Sequence, residues 1–97
     1  MNLEIIFTDD ASYMLLSITN FIENKWGKKQ AEKFLSKVYK TLDLISKQQY
    51  LFKASAIQEN VRIGIVSKQT SFFYEIQDSE IIILFFWDNR QDPIFIG

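Results

Sequence analysis

No cysteine and no histidine occur among the 97 residues. Without cysteine the chain has neither a disulfide framework nor a thiolate zinc site. Without histidine it lacks the commonest metal ligand and the usual general base. A hydrolase built on a Ser-His or Cys-His pair is therefore excluded. No apolar run reaches the length of a membrane span, and the N-terminus lacks a signal-peptide pattern. The expectation is a soluble cytoplasmic protein without a cofactor. An excess of positive charge is missing too: eleven Lys and Arg face twelve Asp and Glu, a net charge of −1. That counts against a protein gripping nucleic acid through phosphates alone. Lys25, Lys28, Lys29, Lys33, Lys37, Lys40 and Lys47 do fall in one segment. At helical spacing they read as a solvated helix face.

The length fits one domain, residues 1–97. Apolar residues make up 47%, and the aromatic residues comprise nine Phe, four Tyr and two Trp. That suffices for a core and leaves aromatic surface for a partner. Residues 3–7 alternate imperfectly and predict a strand. Thr8, Asp9 and Asp10 then supply capping oxygens and negative charge suited to a helix start. Met14, Leu15, Ile18, Phe21 and Ile22 recur at three- and four-residue spacing, so a helix follows. It ends near Trp26, with Gly27 as a left-handed cap. A second helix starts at about Lys28 and carries Ala31, Phe34, Leu35, Val38, Leu42 and Ile45 on one stripe. The two form a helical hairpin whose apolar face needs a sheet.

Residues 47–59 show no period, and Tyr50, Leu51, Phe52 and Ile57 read as anchors of an irregular connection. Three strands are predicted next, over residues 61–67, 70–77 and 80–87. The two-residue gaps, Lys68-Gln69 and Asp78-Ser79, have hairpin spacing without the preferred glycine. The last strand holds Ile81 through Trp87, seven apolar residues in a row. Such a run is buried on both faces and so central. The first strand pairs beside it. The predicted fold is α+β, in the order β-α-α-β-β-β, with a helical hairpin packed on a small, mainly antiparallel twisted sheet.

That last strand delivers Trp87-Asp88-Asn89-Arg90 to its own end, a rigid mount of the kind recognition groups use. By period-two geometry Val61, Ile63 and Ile65 share one face, and Arg62, Gly64 and Val66 the other. Arg62 is either a solvated edge residue or one of three cations, with Lys68 and Arg90, that converge as an anion-binding group. A nuclease without histidine needs such cations for electrostatic stabilisation, plus a lysine or tyrosine as proton acceptor. Tyr74 is in step with Phe72 and Ile76 and reads as core, its hydroxyl hydrogen-bonded. Asp88 and Asp92 lack a third ligand nearby, so no metal site is expected; Asp88 caps the turn or pairs with Arg90.

The element order, the pair Val61-Arg62-Ile63-Gly64-Ile65-Val66 and Phe72-Phe73-Tyr74-Glu75-Ile76, and the ending Phe85-Phe86-Trp87-Asp88-Asn89-Arg90-Gln91-Asp92-Pro93 resemble the RelE/ParE toxin superfamily. The resemblance spans essentially the whole chain. It implies a toxin of a bacterial type II toxin–antitoxin, or plasmid-stabilising, module. RelE-like members cut messenger RNA in the ribosomal A site with basic residues and often a C-terminal tyrosine. ParE-like members lack that set and poison DNA gyrase. Here Ser71 stands where RelE-like proteins often carry an arginine, and no tyrosine follows Pro93. The slight acidity also departs from a ribosome-directed nuclease, while Arg90 matches the family's cation after the last strand.

The resemblance thus favours the ParE-like branch: a non-catalytic inhibitor of a macromolecular target, with gyrase as partner and Arg62, Lys68, Trp87, Asn89 and Arg90 as contacts. One alternative is a metal-independent, ribosome-dependent messenger-RNA endonuclease using Arg62, Lys68 and Arg90. Another is an inactive module that binds only its antitoxin. A cognate antitoxin is implied in every case, and Trp26, Tyr39 and Phe95 are its candidate contacts. Arg90→Ala is expected to reduce toxicity with folding nearly unchanged.

Overall fold

The computed structural model describes residues 2–54 and 60–90. Its elements are β1 (Glu4–Phe7), α1 (Asp9–Trp26), α2 (Lys28–Lys47), β2 (Val61–Ile65), β3 (Thr70–Ile76) and β4 (Glu80–Asp88). The strands form one open sheet in the order β1-β4-β3-β2. β1 runs parallel to β4, whereas β4 with β3 and β3 with β2 are antiparallel. The α+β expectation is met, with the last strand central and the first strand beside it.

Thr8 caps α1 as its sequence predicts: its Oγ1 accepts from the Ala11 amide at 3.0 Å, and Asp9 and Asp10 occupy the first turn. The same hydroxyl donates to the Leu84 carbonyl at 2.7 Å, tying the helix start to the central strand. Gly27 takes φ 98° and ψ 167°. The φ is positive as expected, but the extended ψ makes this residue a one-residue joint instead of a left-handed cap. It closes α1 and opens α2 at once. Only glycine adopts that region freely.

One helix face supplies Leu15, Ile18 and Ile22, and the other helix Phe34, Val38 and Ile45. They enclose Phe72, Tyr74, Ile81, Ile83 and Phe86 of the sheet. Strict alternation along β4 cannot put Ile81, Ile83 and Phe86 on one face. A bulge permits it: Phe73 pairs with Phe85 but Tyr74 pairs with Ile83, so Leu84 has no partner on β3. From there onward the faces exchange, and Phe86 and Asp88 turn toward the helices. The carbonyl of the bulged Leu84 is the one Thr8 satisfies. Phe85 and Trp87 lie on the opposite face with Phe73, at centroid distances of 4.8 Å for Phe73–Phe85 and 5.5 Å for Phe73–Trp87.

The strand gaps are longer than the two residues expected, spanning residues 66–69 and 77–79. In the first, the Ser67 hydroxyl accepts from the amides of Gln69 and Thr70 at 3.2 and 3.3 Å. Among the described residues only Gly27 has positive φ. The longer turns thus dispense with the glycines that two-residue turns require. In the connection after α2, Phe52 packs against the core, but Tyr50 and Leu51 are exposed and do not anchor it. Tyr50 instead holds the Arg62 guanidinium 4.9 Å from its ring centroid. Ile57 lies outside the described residues.

Gly64 has a sharper role than its place mid-strand suggests. It pairs with Phe72, and a Cβ built on it would stand 2.2 Å from Phe72 Cζ. The Phe72 ring therefore lies across the Gly64 backbone, with Phe86 at 5.4 Å beyond it. Gly64→Ala is expected to displace that ring and cost about 1–3 kcal/mol or more, the usual range for overpacking. Phe86→Ala, which empties a fully buried site, should cost about 3–5 kcal/mol. Urea unfolding measures both; a Gly64→Ala midpoint equal to wild type would show that Phe72 relaxes freely.

Candidate functional site

β4 ends in a buried charge. Asp88 is 3% exposed and faces Thr70 in register, itself fully buried. A carboxylate there needs partners at both oxygens. Oδ1 accepts from the Arg90 backbone amide at 2.9 Å and from Arg90 Nε at 3.0 Å. Oδ2 accepts from Arg90 Nη2 at 2.7 Å and from the Thr70 hydroxyl. Asp88 therefore both caps the turn and pairs with Arg90, as its sequence position suggested. Burial pushes its carboxyl up, but the Arg90 side chain, the Thr70 hydroxyl, the Arg90 amide and the Arg90 charge together hold it below the usual carboxylate value. Hydrogen bonding to Asp88 raises Arg90 in turn, against a smaller opposing effect of burial. With both carboxylate oxygens so engaged, Asp88 is poorly placed to ligate a metal; Asp92 lies outside the described residues.

Arg62 sits elsewhere. It pairs with Tyr74 at the far part of β3, four residues from Thr70, or about 13 Å along the strand. Its Nη1 donates to the Phe52 carbonyl at 2.5 Å, and its guanidinium lies over Tyr50. Arg62 shares the helix-side face with Gly64 and occupies the margin of the core, not an open concave surface. Its guanidinium has no contact in common with that of Arg90. Tyr74 is fully buried and donates to the Gln49 carbonyl at 3.0 Å. Burial raises its phenol above the ordinary value, partly opposed by the charge of Arg62.

Lys68 is exposed in the turn between β2 and β3. The same end of the sheet carries exposed Asn89, whose amide donates to the Gln69 carbonyl at 2.9 Å. Trp87 is half-buried on the sheet face opposite Phe86. Lys68, Trp87, Asn89 and Arg90 are thus gathered at one end of the sheet, and Arg62 is not among them.

Arg90 also borders a groove of about 820 Å³ between the helices and the β2–β3 turn. Trp26, Lys33, Lys37 and Lys40 line it with Arg90. The Arg90 guanidinium lies 5.8 Å from the Trp26 ring centroid. From sequence the lysines read as a solvated face; their spacing at i, i+4 and i+7 is the signal that they share one side of α2. Sequence spacing does not single out Thr70 either, since only strand register sets it against Asp88.

The aromatic residues proposed for partner contact divide between two surfaces. Trp26, 47% exposed, belongs to the basic groove. Tyr39, 56% exposed, lines a separate, more apolar groove of about 410 Å³ with Phe7, Leu15, Leu16 and Leu35. Phe95 lies outside the described residues.

Residues 5–93 match the family described as the ParE toxin of the type II toxin–antitoxin system, parDE. No curated protein sequence matches the chain. Among solved structures the fold is similar to the chromosomal ParDE toxin–antitoxin system from P. aeruginosa, with a TM-score of 0.74 at 16% identity over 89% of this chain and 95% of that one. It is also similar to the E. coli DinJ–YafQ toxin–antitoxin complex, with a TM-score of 0.63 at 8% identity over 93% and 96%. The YoeB dimer from Staphylococcus aureus gives 0.61 at 15% identity over 88% and 94%. At such identities the structures share a fold.

The Asp88 pair alters what an Arg90 substitution does. Arg90→Ala removes the guanidinium and leaves the buried carboxylate only the Thr70 hydroxyl and the backbone amide at position 90, and breaking one side of a buried pair costs about 3–5 kcal/mol. The expectation of nearly unchanged folding is therefore withdrawn. Asp88→Asn combined with Arg90→Ala should recover part of the loss, and urea unfolding of the single and double variants measures it. A single variant within about 0.5 kcal/mol of wild type would show that the pair is not stabilising. Because the folded-state carboxyl is depressed, its stabilisation is present at neutral pH. It disappears as pH falls through a value below the ordinary 3.9 or so. Asp88→Asn should flatten that acid limb.

Proposed function

The chain belongs to the ParE toxin family of type II toxin–antitoxin systems, and on that premise we propose that it arrests growth by binding DNA gyrase without catalysis of its own. In this reading a cognate antitoxin neutralises it, and the pair acts as a plasmid-stabilising module in the cytoplasm. The observation that carries the non-catalytic part is the separation of the two arginines. Arg62 is engaged by Phe52 and Tyr50, Arg90 by Asp88 and Thr70. A metal-independent nuclease needs cations converging on one phosphate and a proton acceptor beside them. Tyr74 is a poor acceptor, being buried and held protonated. The gathered end of the sheet, with Lys68, Trp87, Asn89 and Arg90, suits a binding surface instead.

Exposed Trp26, Tyr39 and Leu16 support a protein partner. So do the similar structures, a ParDE toxin–antitoxin system from P. aeruginosa and the DinJ–YafQ toxin–antitoxin complex of E. coli. No helix among the described residues is long and apolar enough to cross a membrane. This chain induced alone in a bacterial host should stop growth, change plasmid supercoiling and leave transcripts intact. Co-expression of the antitoxin should restore growth. Ribosome-dependent transcript cleavage would replace the gyrase reading with the nuclease one. Normal growth with soluble protein present would leave an antitoxin-binding module only.

A further inference from the structure

The basic groove is unlike the rest of the surface. Lys33, Lys37 and Lys40 are exposed, line it together, and form no ion pair with any described residue. No aspartate or glutamate is among its described lining residues. Like charges three and four positions apart on a helix repel one another, so α2 carries this row at a cost that a bound anion removes. Elsewhere on α2 a lysine is balanced: Lys47 pairs with Asp43 at 3.1 Å. The three free ammonium groups spread over about 10 Å of helix axis, which suits a row of anions better than one.

The fourth cation is fixed in place. Arg90 is held by both oxygens of Asp88, with its guanidinium beside Trp26. Its charge is offset by Asp88, so the free positive charge comes from the lysines. Trp26 stands at the same groove with nearly half its surface exposed. Gln30 and Gln69 add polar groups to the wall. Lysines act as point charges for phosphates, and an exposed aromatic ring beside them offers a base a stacking platform. An acidic protein segment would use the lysines but has no particular use for the ring.

We propose that this groove binds a single strand of nucleic acid, its phosphates on Lys33, Lys37 and Lys40 and a base against Trp26. The proposal concerns binding alone and stands whichever target the toxin arrests. The net charge of −1 does not oppose it, because the contacts are local and the lysines face the groove.

The test is fluorescence anisotropy of a labelled oligothymidylate with the purified chain over a series of salt concentrations. Lys33→Gln, Lys37→Gln and Lys40→Gln are combined in one variant. A control variant carries Lys28→Gln, Lys29→Gln and Lys53→Gln, three exposed lysines outside the groove. Both lose the same charge, and circular dichroism confirms that both fold. Wild type should bind with a log–log salt slope that the groove variant makes shallower by about 2, since each lost phosphate contact on a single strand removes about 0.7. Affinity should fall about tenfold or more in the groove variant and stay within about twofold of wild type in the control. A duplex of equal length should bind less tightly, lacking an unstacked base. Equal losses in both variants, no salt-dependent binding by wild type, tighter binding of the duplex, or displacement of the strand by polyglutamate of matched charge would each overturn the proposal. Because the assay uses no cells and no gyrase, its failure leaves the reading of toxicity untouched.

Discussion

The charge of Asp88 is the constraint around which this end of the molecule is arranged. The central strand must be apolar where β1 and β3 flank it, yet its last residue is a carboxylate turned inward. It faces inward because of the bulge at Leu84, which exchanges the faces of the strand before Phe86. Without a nearby cation a buried carboxylate is strongly unfavourable or takes up a proton. Arg90 supplies the cation two residues later, so backbone amide and guanidinium reach the same carboxyl. Strand end, turn and arginine are therefore one unit. The Thr8 hydroxyl, by bonding the Leu84 carbonyl, connects that unit to the first helix.

Much of the fold was legible in the sequence because its signals are local. The stripe from Leu15 to Ile22, the threonine before two aspartates, and seven apolar residues in a row each specify an element by spacing alone. The family resemblance rested on the same order and on the Trp87-Asp88-Asn89-Arg90 ending. What escaped was set by register and by pairing across the chain. No glycine or proline marks the bulge at Leu84, so the sequence does not show that Phe86 and Asp88 share a face with Ile81 and Ile83. Tyr50 is apolar enough to predict an anchor, but its ring covers the Arg62 guanidinium instead of the core. The separation of Arg62 from Arg90 follows only from knowing that one pairs with Tyr74 while the other follows Asp88 opposite Thr70.

That separation bears on how substitutions in such a protein are read. An arginine after the last strand invites assignment to target contact, and its loss of function then invites a mechanistic conclusion. Here the same side chain neutralises a buried acid, so a loss of toxicity also follows from a loss of folded protein. Arg62 raises the same difficulty, since its guanidinium closes the carbonyl of Phe52. Only exposed residues at this end of the sheet, such as Lys68 and Asn89, separate contact from stability cleanly.

Net charge says nothing of how charge is distributed over a surface. The sum over the chain is −1, which by itself counts against phosphate binding. A sum has meaning only for a partner that feels all the charges equally. Screening at physiological salt confines each charge to about 8 Å, whereas the molecule measures 39 × 33 × 23 Å. A strand approaching the groove therefore meets Lys33, Lys37 and Lys40 at close range. Asp88 offsets Arg90 at the groove's edge, but no acid is among the described residues that line the groove. The three lysines also sit on one rigid helix whose buried stripe, from Ala31 to Ile45, fixes their direction. The packing that forms the core thus decides which way the charges point, and the groove inherits a field that the composition conceals.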